Sequence, residues 1–389
     1  MYYLIHYFDP DFNHLQLVPE SSAGGSTDLR QLGYVQNVVA GQVLAEIVEL
    51  DKFTGKKRDP RFIYSGRHLP VGPNCLPHPD NPDKIISAAN GYVFYHQGLI
   101  SVKKLLNVRN NVGFHTGNIF FINDLAVHGD VQTGFAVQAA NILVKGHVES
   151  CKIKSQGDMV CLGGVKGSNT SSLEGGQTEL AHADNYVPSA LIEAQGNIRL
   201  PFCEHVQLRA GGNVIIDGSC MHSTIYAGGN VVIKGRLQGG SLYANRLVYI
   251  EKQMGSDYTV STRIMMGYPP FEYLKLQKLN KQITFLRDKL DYFTRMAERN
   301  EVMQQEYGPR VTLMERKLKI ALSRHHELWH KFELDEKSAD KCRIVVAGKV
   351  MPGCEISIGR AFYKTADMDA AVTYRLVDEE ITATPTPPK

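Results

Sequence analysis

The chain of 389 residues has no long apolar run, little net charge and no paired cysteine spacing. Each scarcity excludes something. No stretch approaches the ~18 apolar residues that a membrane helix needs. The first residues, Met1 to His6, have neither the basic start nor the long apolar core of a secretory signal. Together these features predict a cytosolic protein with no membrane insertion. The formal net charge is +3, whereas a dedicated nucleic-acid binder shows a strongly basic face. The seven cysteines are odd in number and none forms a C-x-x-C pair. That spacing fits neither a disulfide framework nor a cysteine zinc site. Most lie in alternating apolar stretches, which predicts small buried hydrophobes in a reducing compartment.

What is present is a repeat. Five segments begin Asp124-Leu-Ala-Val-His-Gly, Asn141-Ile-Leu-Val-Lys-Gly, Asp158-Met-Val-Cys-Leu-Gly, Asn213-Val-Ile-Ile-Asp-Gly and Asn230-Val-Val-Ile-Lys-Gly. Weaker copies start at Asn197, Arg246 and Arg263, and most steps are 16 or 17 residues. The second residue of each copy is aliphatic or Met (Leu125, Ile142, Met159, Ile198, Val214, Val231), and so is the fourth in most copies. A further apolar position falls about twelve residues in, at Val137, Ile153, Leu208, Ile225 and Leu242. Apolar residues two apart are the signature of a half-buried strand. Glycine fills the sixth place in five copies, where the chain must turn a corner. One copy cannot bury its apolar side, but stacked copies can, each strand pairing with its equivalent in the next coil. The reading is a parallel β-helix. No six-residue repeat of the left-handed kind is seen, so a right-handed one is expected. The step from Asp158 to Asn197 holds one coil plus an insertion, placed at Asn169 to about Tyr186.

Near Pro269-Pro270 the pattern becomes helical. Leu276, Leu279, Ile283, Leu286, Leu290, Phe293 and Ala297 are spaced three and four apart, as are Val311, Met314, Leu318, Ala321, His325, Leu328 and Phe332. Two heptad runs predict an antiparallel coiled-coil hairpin. Tyr307-Gly308-Pro309 is the helix breaker expected to form its turn, and a first helix of about 34 residues would reach roughly 50 Å. The coil pattern resumes at Arg343, with Ile344, Val346, Gly348 and Val350 in the repeat positions, so the hairpin is an insertion in the solenoid. The tail from Thr382 to Lys389 is Pro/Thr-rich and is expected to be disordered. The N-terminal stretches Val38–Ile47 and Ile86–Val93 resemble the two halves of a biotinyl/lipoyl-type β-sandwich. The hairpin that would carry a modifiable lysine is not seen, and the segment Gly55 to Pro60 reads as a basic loop. The expected divisions are an N-terminal β-rich domain over 1–97, β-helix over 98–268, hairpin over 269–335, completing strands over 336–380 and a tail over 381–389.

Three stretches invite a catalytic reading. His326-Glu-Leu-Trp-His330 fits H-E-x-x-H on a helix, where two histidines could hold zinc and Glu327 could act as base. No third-ligand continuation follows, and the heptad puts both histidines outside the seam, so solvated surface histidines are preferred. Asp217 faces outward but has no acidic partner in adjacent coils, as a glycan-cleaving pair would require. Gly163-Gly-Val-Lys-Gly-Ser168 lacks phosphate-loop spacing and opens no helix, so a coil corner is preferred. No catalytic, cofactor-binding or metal-binding residue is assigned, and the chain is read as a non-enzyme.

The chain resembles the bacterial flagellar assembly protein A family. The matching stretches are Gly41–Ile47, Leu69–Asn74, Asn90–Val93, Thr116–Ile119, Gly163–Gly167, Gly212–Val214, Gly229–Val231 and Gly348–Gly353, in order from about residue 35 to 365. The resemblance implies a right-handed β-helix with a coiled-coil insertion and no established catalysis. It further implies a role in flagellar assembly or cell-pole organisation through protein contacts. The expected function is therefore a scaffold or adaptor in the cytoplasm, recruited to the pole or flagellar base. Flagellar or polar proteins are its expected partners through the hairpin, and homo-oligomerisation is left open. A self-assembling cytoskeletal β-helix is the alternative, and an enzyme, zinc-dependent or carbohydrate-active, the second.

Overall fold

The computed structural model describes residues 1–17, 30–53, 55, 58–168, 190–256, 261–334 and 336–386. The chain divides into two compact units, Met1–Gly211 with Ile215–Asp217, and Gly212–Val214 with Gly218–Lys389. The expected insertion, Asn169 to about Tyr186, and Lys56 and Lys57 of the basic loop lie outside the described residues.

The first unit begins with antiparallel sheets. Tyr2–His6 pairs with Val43–Glu49, which in turn pairs with Lys84–Ser87. A second sheet joins Asn37–Val38, Gly91–His96 and Leu99–Lys103. Leu99–Lys103 thus belongs to the antiparallel part, and the parallel stack starts at Leu105 rather than at residue 98. The Asn37 carboxamide ties the two parts together. It donates to Phe120 O at 2.8 Å and accepts from the Ile122 N–H at 3.2 Å.

From Leu105 the coils stack in three parallel columns, two of short strands and one that begins as single-residue bridges. In the first, Leu125 pairs with Ile142, Ile142 with Met159 and Met159 with Ile198. In the third, Val137 pairs with Ile153, Ile153 with Ile192 and Ile192 with Leu208. All these side chains are buried, as the two-residue alternation requires. The second column begins as a valine ladder, Val112, Val131, Val148 and Val165, and continues into Cys203.

The second unit repeats the plan, with two corrections of register. Val231 pairs with Val248 and Ile233 with Ile250, so Val248 and Ile250 point inward where the repeat pattern predicts Leu247 and Tyr249. The repeat keeps its 17-residue step here, and two adjacent aliphatic residues mask it. The copy at Arg263 is not a first-column strand, because Ile264 pairs with Leu242 in the third column. Extra residues after Gly255 lengthen that coil, so a 17-residue step lands in the wrong column. The true first-column successor of Val248 is Ile344, beyond the helices.

The stack closes by changing direction. Asp369–Val377 runs antiparallel to Arg343–Val350, and Glu380–Pro385 antiparallel to Asp369–Val377. The expected disorder from Thr382 is therefore corrected: the Thr/Pro-rich tail is a paired strand as far as Pro385. Alternating Ile381, Ala383 and Pro385 make that possible at an edge that needs few donors.

Coil corners are held by side chains. The Asn141 carboxamide donates to Asp124 Oδ1 at 2.8 Å, and Asn141 Oδ1 accepts the Asp158 N–H at 2.8 Å. Asp158 Oδ1 accepts the Asn197 N–H at 2.7 Å. In the second unit Asn213 Oδ1 accepts the Asn230 N–H at 2.9 Å. A second ladder runs through Asn111, Asp130 and the His147 N–H. Glycine is enforced beside them by close approach: a Cβ on Gly163 would lie 2.4 Å from Gly146 O, and one on Gly235 2.4 Å from Gly218 O.

All seven cysteines are buried and free. Desolvation pushes the Cys151 thiol up to about 12 and those of Cys75, Cys342 and Cys354 up to about 11, which makes them poor nucleophiles.

The corner ladder can be tested directly. Asp158→Ala, which leaves the Asn197 N–H without its acceptor, costs about 1 kcal/mol and lowers the thermal midpoint, whereas Asp158→Asn leaves it nearly unchanged. The N-terminal sheets have a test of their own. His6 sits among Phe8, Phe62 and Tyr95, and its Nε2 has no hydrogen-bond partner among the described residues. Burial lowers its pKa from 6.5 to about 4. The unfolded chain therefore takes up the proton first, and stability falls as pH drops from about 6.5 towards 4. Thermal melts across that range show a slope that His6→Phe flattens.

Candidate docking arm

The hairpin belongs to the second unit. Its first helix, α1 (Pro270–Ala297), starts at a proline pair, where a missing N–H costs nothing. Its second helix, α2 (Glu301–Leu334), is capped by Asn300, whose Oδ1 accepts the Met303 N–H at 2.8 Å. The turn is thus Glu298 to Asn300, and Pro309 lies inside α2. This corrects the expectation that Tyr307-Gly308-Pro309 forms the turn and that the first helix is the 34-residue one. α1 has 28 residues and α2 has 34. The reason is local. Asn300 supplies a helix start that outcompetes the breaker. Gly308 brings no Cβ into the proline ring's way, and Arg310 lies over the Tyr307 and Phe293 rings at 5.0 and 6.0 Å, holding the helix on both sides of Pro309.

The two helices pack along the heptad positions. Ile283, Leu286 and Ala321 are buried, with Leu279, Met314 and Leu318 packed against them. Phe293 meets Tyr307 near the turn, and Tyr268, just before α1, meets Phe332 at the far end of α2. That order of contacts makes the pair antiparallel.

The arm is fixed at its base by aromatic residues on the coil wall. Tyr226 and Tyr243, equivalent positions of successive coils, stack with ring centroids 4.6 Å apart and planes 3° from parallel. Tyr273 of α1 lies on Tyr243 at 5.2 Å. Gln277, one turn on, accepts from the Tyr226 hydroxyl at 3.0 Å and donates to the Tyr243 hydroxyl at 3.3 Å. In the sequence the only signal of this is two tyrosines one repeat apart, and periodicity alone does not pair them with α1.

Several large apolar side chains lie on the surface of the arm. Phe285, Tyr292, Val302, Leu313, Ile320, Leu322 and Trp329 are all 40% or more exposed.

The His326 and His330 rings lie parallel, 6.3 Å apart, on an exposed stretch of α2. Among the described residues no three metal-ligating side chains come together, so the third ligand that catalytic zinc needs is not supplied by them. Asp217 accepts from Arg199 Nε at 2.9 Å, so its neighbour is a cation and not the second carboxylate of a glycosidase. Val165 and Lys166 of the glycine-rich stretch form a second-column strand against Cys203 and Glu204. No helix is long and apolar enough to cross a membrane, among the described residues.

A family model described as the flagellar assembly protein A β-solenoid domain matches residues 104–381. The chain belongs to the flagellar assembly protein A family. The match begins where the parallel stack begins, runs through the hairpin and takes in the first two residues of the last strand, Glu380–Pro385. It leaves the N-terminal sheets uncovered, although the sequence resemblance extends back to about residue 35. Neither a curated protein nor a solved structure matches the chain.

Tyr243→Ala removes the middle of the aromatic stack. The expected result is faster amide exchange at the base of α1 and a loss of about 1–3 kcal/mol, with the coil strands' exchange nearly unchanged.

Proposed function

We propose that this member of the flagellar assembly protein A family is a non-catalytic scaffold whose helical hairpin is its docking arm. In this reading the coils form a right-handed β-helix, the hairpin is a coiled coil, and the N-terminal sheets are a biotinyl/lipoyl-like module without a swinging lysine. The protein works in the cytoplasm, recruited to the cell pole or flagellar base, and flagellar or polar proteins are its partners.

One observation carries the reading. A two-helix arm is inserted between neighbouring coils, braced at its root by Tyr226, Tyr243, Tyr273 and Gln277, and bears large exposed apolar side chains along its length. Exposed apolar side chains in such number on one element mark an interaction surface. Rigid bracing lowers the ordering cost of binding. Family membership supports the flagellar setting.

Crosslinking pull-down from native lysate tests this, comparing the intact chain with one in which residues 271–334 are replaced by a short linker. Flagellar or polar proteins are captured by the first and lost by the second. Retention of the same partners after the deletion would move the contact to the coils or the N-terminal sheets. Turnover of a substrate, abolished by a single substitution, would sink the scaffold reading.

A further inference from the structure

We infer that one side of the hairpin binds an acidic amphipathic helix of a partner protein, which packs on α1 and α2 as the third helix of a bundle. This rests on the reading of the hairpin as a docking arm and adds the chemistry of what docks.

The pattern is written on both helices. On α2, Arg310, Leu313, Lys317, Ile320 and Arg324 follow one another three or four residues apart, and all are exposed. At 100° per residue they form a stripe turned away from the buried seam. On α1, Lys278, Phe285, Lys289 and Tyr292 form a matching stripe, beginning and ending with exposed residues. Phe285, Tyr292, Leu313 and Ile320 are 46–52% exposed.

The two stripes face the same way. Every residue in them directly precedes a seam position of its own helix. In an antiparallel pair, residues displaced from the seam in the same rotational sense along each chain end on one side of the hairpin. The cleft near the turn shows this on the opposite flank. Thr294 and Glu298 at the end of α1 line it together with Gly308 of α2; Thr294 and Glu298 directly follow the seam positions Phe293 and Ala297, and Gly308 follows Tyr307, which packs on Phe293. The flank bearing the stripes is therefore likewise shared by both helices.

Charge decides the occupant. Residues 270–334 hold thirteen Lys and Arg against nine Asp and Glu, a surplus larger than the +3 of the whole chain. Arg310 pairs with Glu306 at 3.7 Å, and Lys289 lies over the Phe285 ring at 5.8 Å. No salt bridge is formed by Lys278, Lys317 or Arg324 among the described residues. Leu313 and Ile320, and likewise Phe285 and Tyr292, are seven residues apart; on α2 they alternate with Arg310, Lys317 and Arg324, and on α1 Lys289 stands between Phe285 and Tyr292, with Gln282 between Lys278 and Phe285. That is half of a mixed seam, and its complement is a helix with apolar residues at one seam position and carboxylates beside them. A lipid surface fits less well, because a membrane-lying helix keeps its apolar residues in one unbroken face. A phosphate backbone would use the cations but leave the four apolar side chains without a role.

The test uses the full chain and a fluorescein-labelled four-heptad peptide with leucine at both seam positions and glutamate at the flanking ones. Fluorescence anisotropy is expected to show saturable micromolar binding, and a lysine-for-glutamate peptide none. The pair Lys317→Glu with Arg324→Glu, and separately Leu313→Ser with Ile320→Ser, each weaken binding about tenfold or more. All four positions are exposed, and unchanged helical circular dichroism confirms that each variant folds. If one pair disturbs the fold, the other decides the matter. The inference is overturned if the acidic peptide does not bind, or if binding ignores the substitutions. It is also overturned if phosphatidylglycerol vesicles sediment the chain with the same sensitivity while the peptide stays free. Failure here, with flagellar partners still lost on hairpin deletion, leaves the docking arm standing and removes only its acidic-helix occupant.

Discussion

Corner amides set the terms for everything else in this chain. A coil that turns between short strands leaves a backbone N–H that no sheet can pair, and such a group must find an acceptor. Asp and Asn at the head of each repeat provide it: their side-chain oxygens accept the corner N–H of the next coil. A ladder of this kind works only if equivalent residues sit directly above one another. That fixes the register, and with it which of the alternating side chains in the first and third columns points inward. The glycines follow from the same stacking, since corner carbonyls approach to within 2.4 Å of where a Cβ on Gly163 or Gly235 would be.

The same constraint explains which parts of the fold are legible in the sequence. The first and third columns are, because the ladder forces a near-constant step and apolar alternation marks each strand. The Asp and Asn residues align the repeats, yet their bonding role lies in side-chain geometry that spacing does not show. The valine ladder from Val112 to Val165 escapes notice because each coil gives it little more than a single bridging residue, too short for alternation. Register fails at Leu247, beside a second aliphatic residue, and at Arg263, after a coil longer than the common 17-residue step. In the hairpin the seam is legible and the turn is not. Pro309 is a strong local breaker, but an Asn cap nine residues earlier, together with packing on either side, outweighs it. The base of the arm is hidden for a different reason: Tyr226, Tyr243 and Tyr273 meet only after two coils and a helix have been placed.

Chemistry is divided unevenly between coils and arm. The coils place their thiols inside, where burial holds Cys151 and Cys354 in the protonated form. At Cys354 that desolvation outweighs a hydrogen bond with Thr365, which acts in the opposite direction. The arm instead carries its polar and apolar groups outward: Trp329, the only tryptophan, is 49% exposed beside His325.

The position of the arm has a consequence for how the chain assembles. Val248 and Ile344 are neighbours in one column, yet both helices lie between them in sequence. Closing so long a segment as an unstructured loop would carry a large entropic cost before the rung returned any stability. A hairpin forms from local contacts, and the meeting of Tyr268 with Phe332 at its root brings the two chain ends together. With the arm folded, the chain segments that form the rung at Arg343 are already brought together. The arm thus acts as a clasp: it spans the sequence between two rungs of one column, and the antiparallel strand Asp369–Val377 pairs on the second of them.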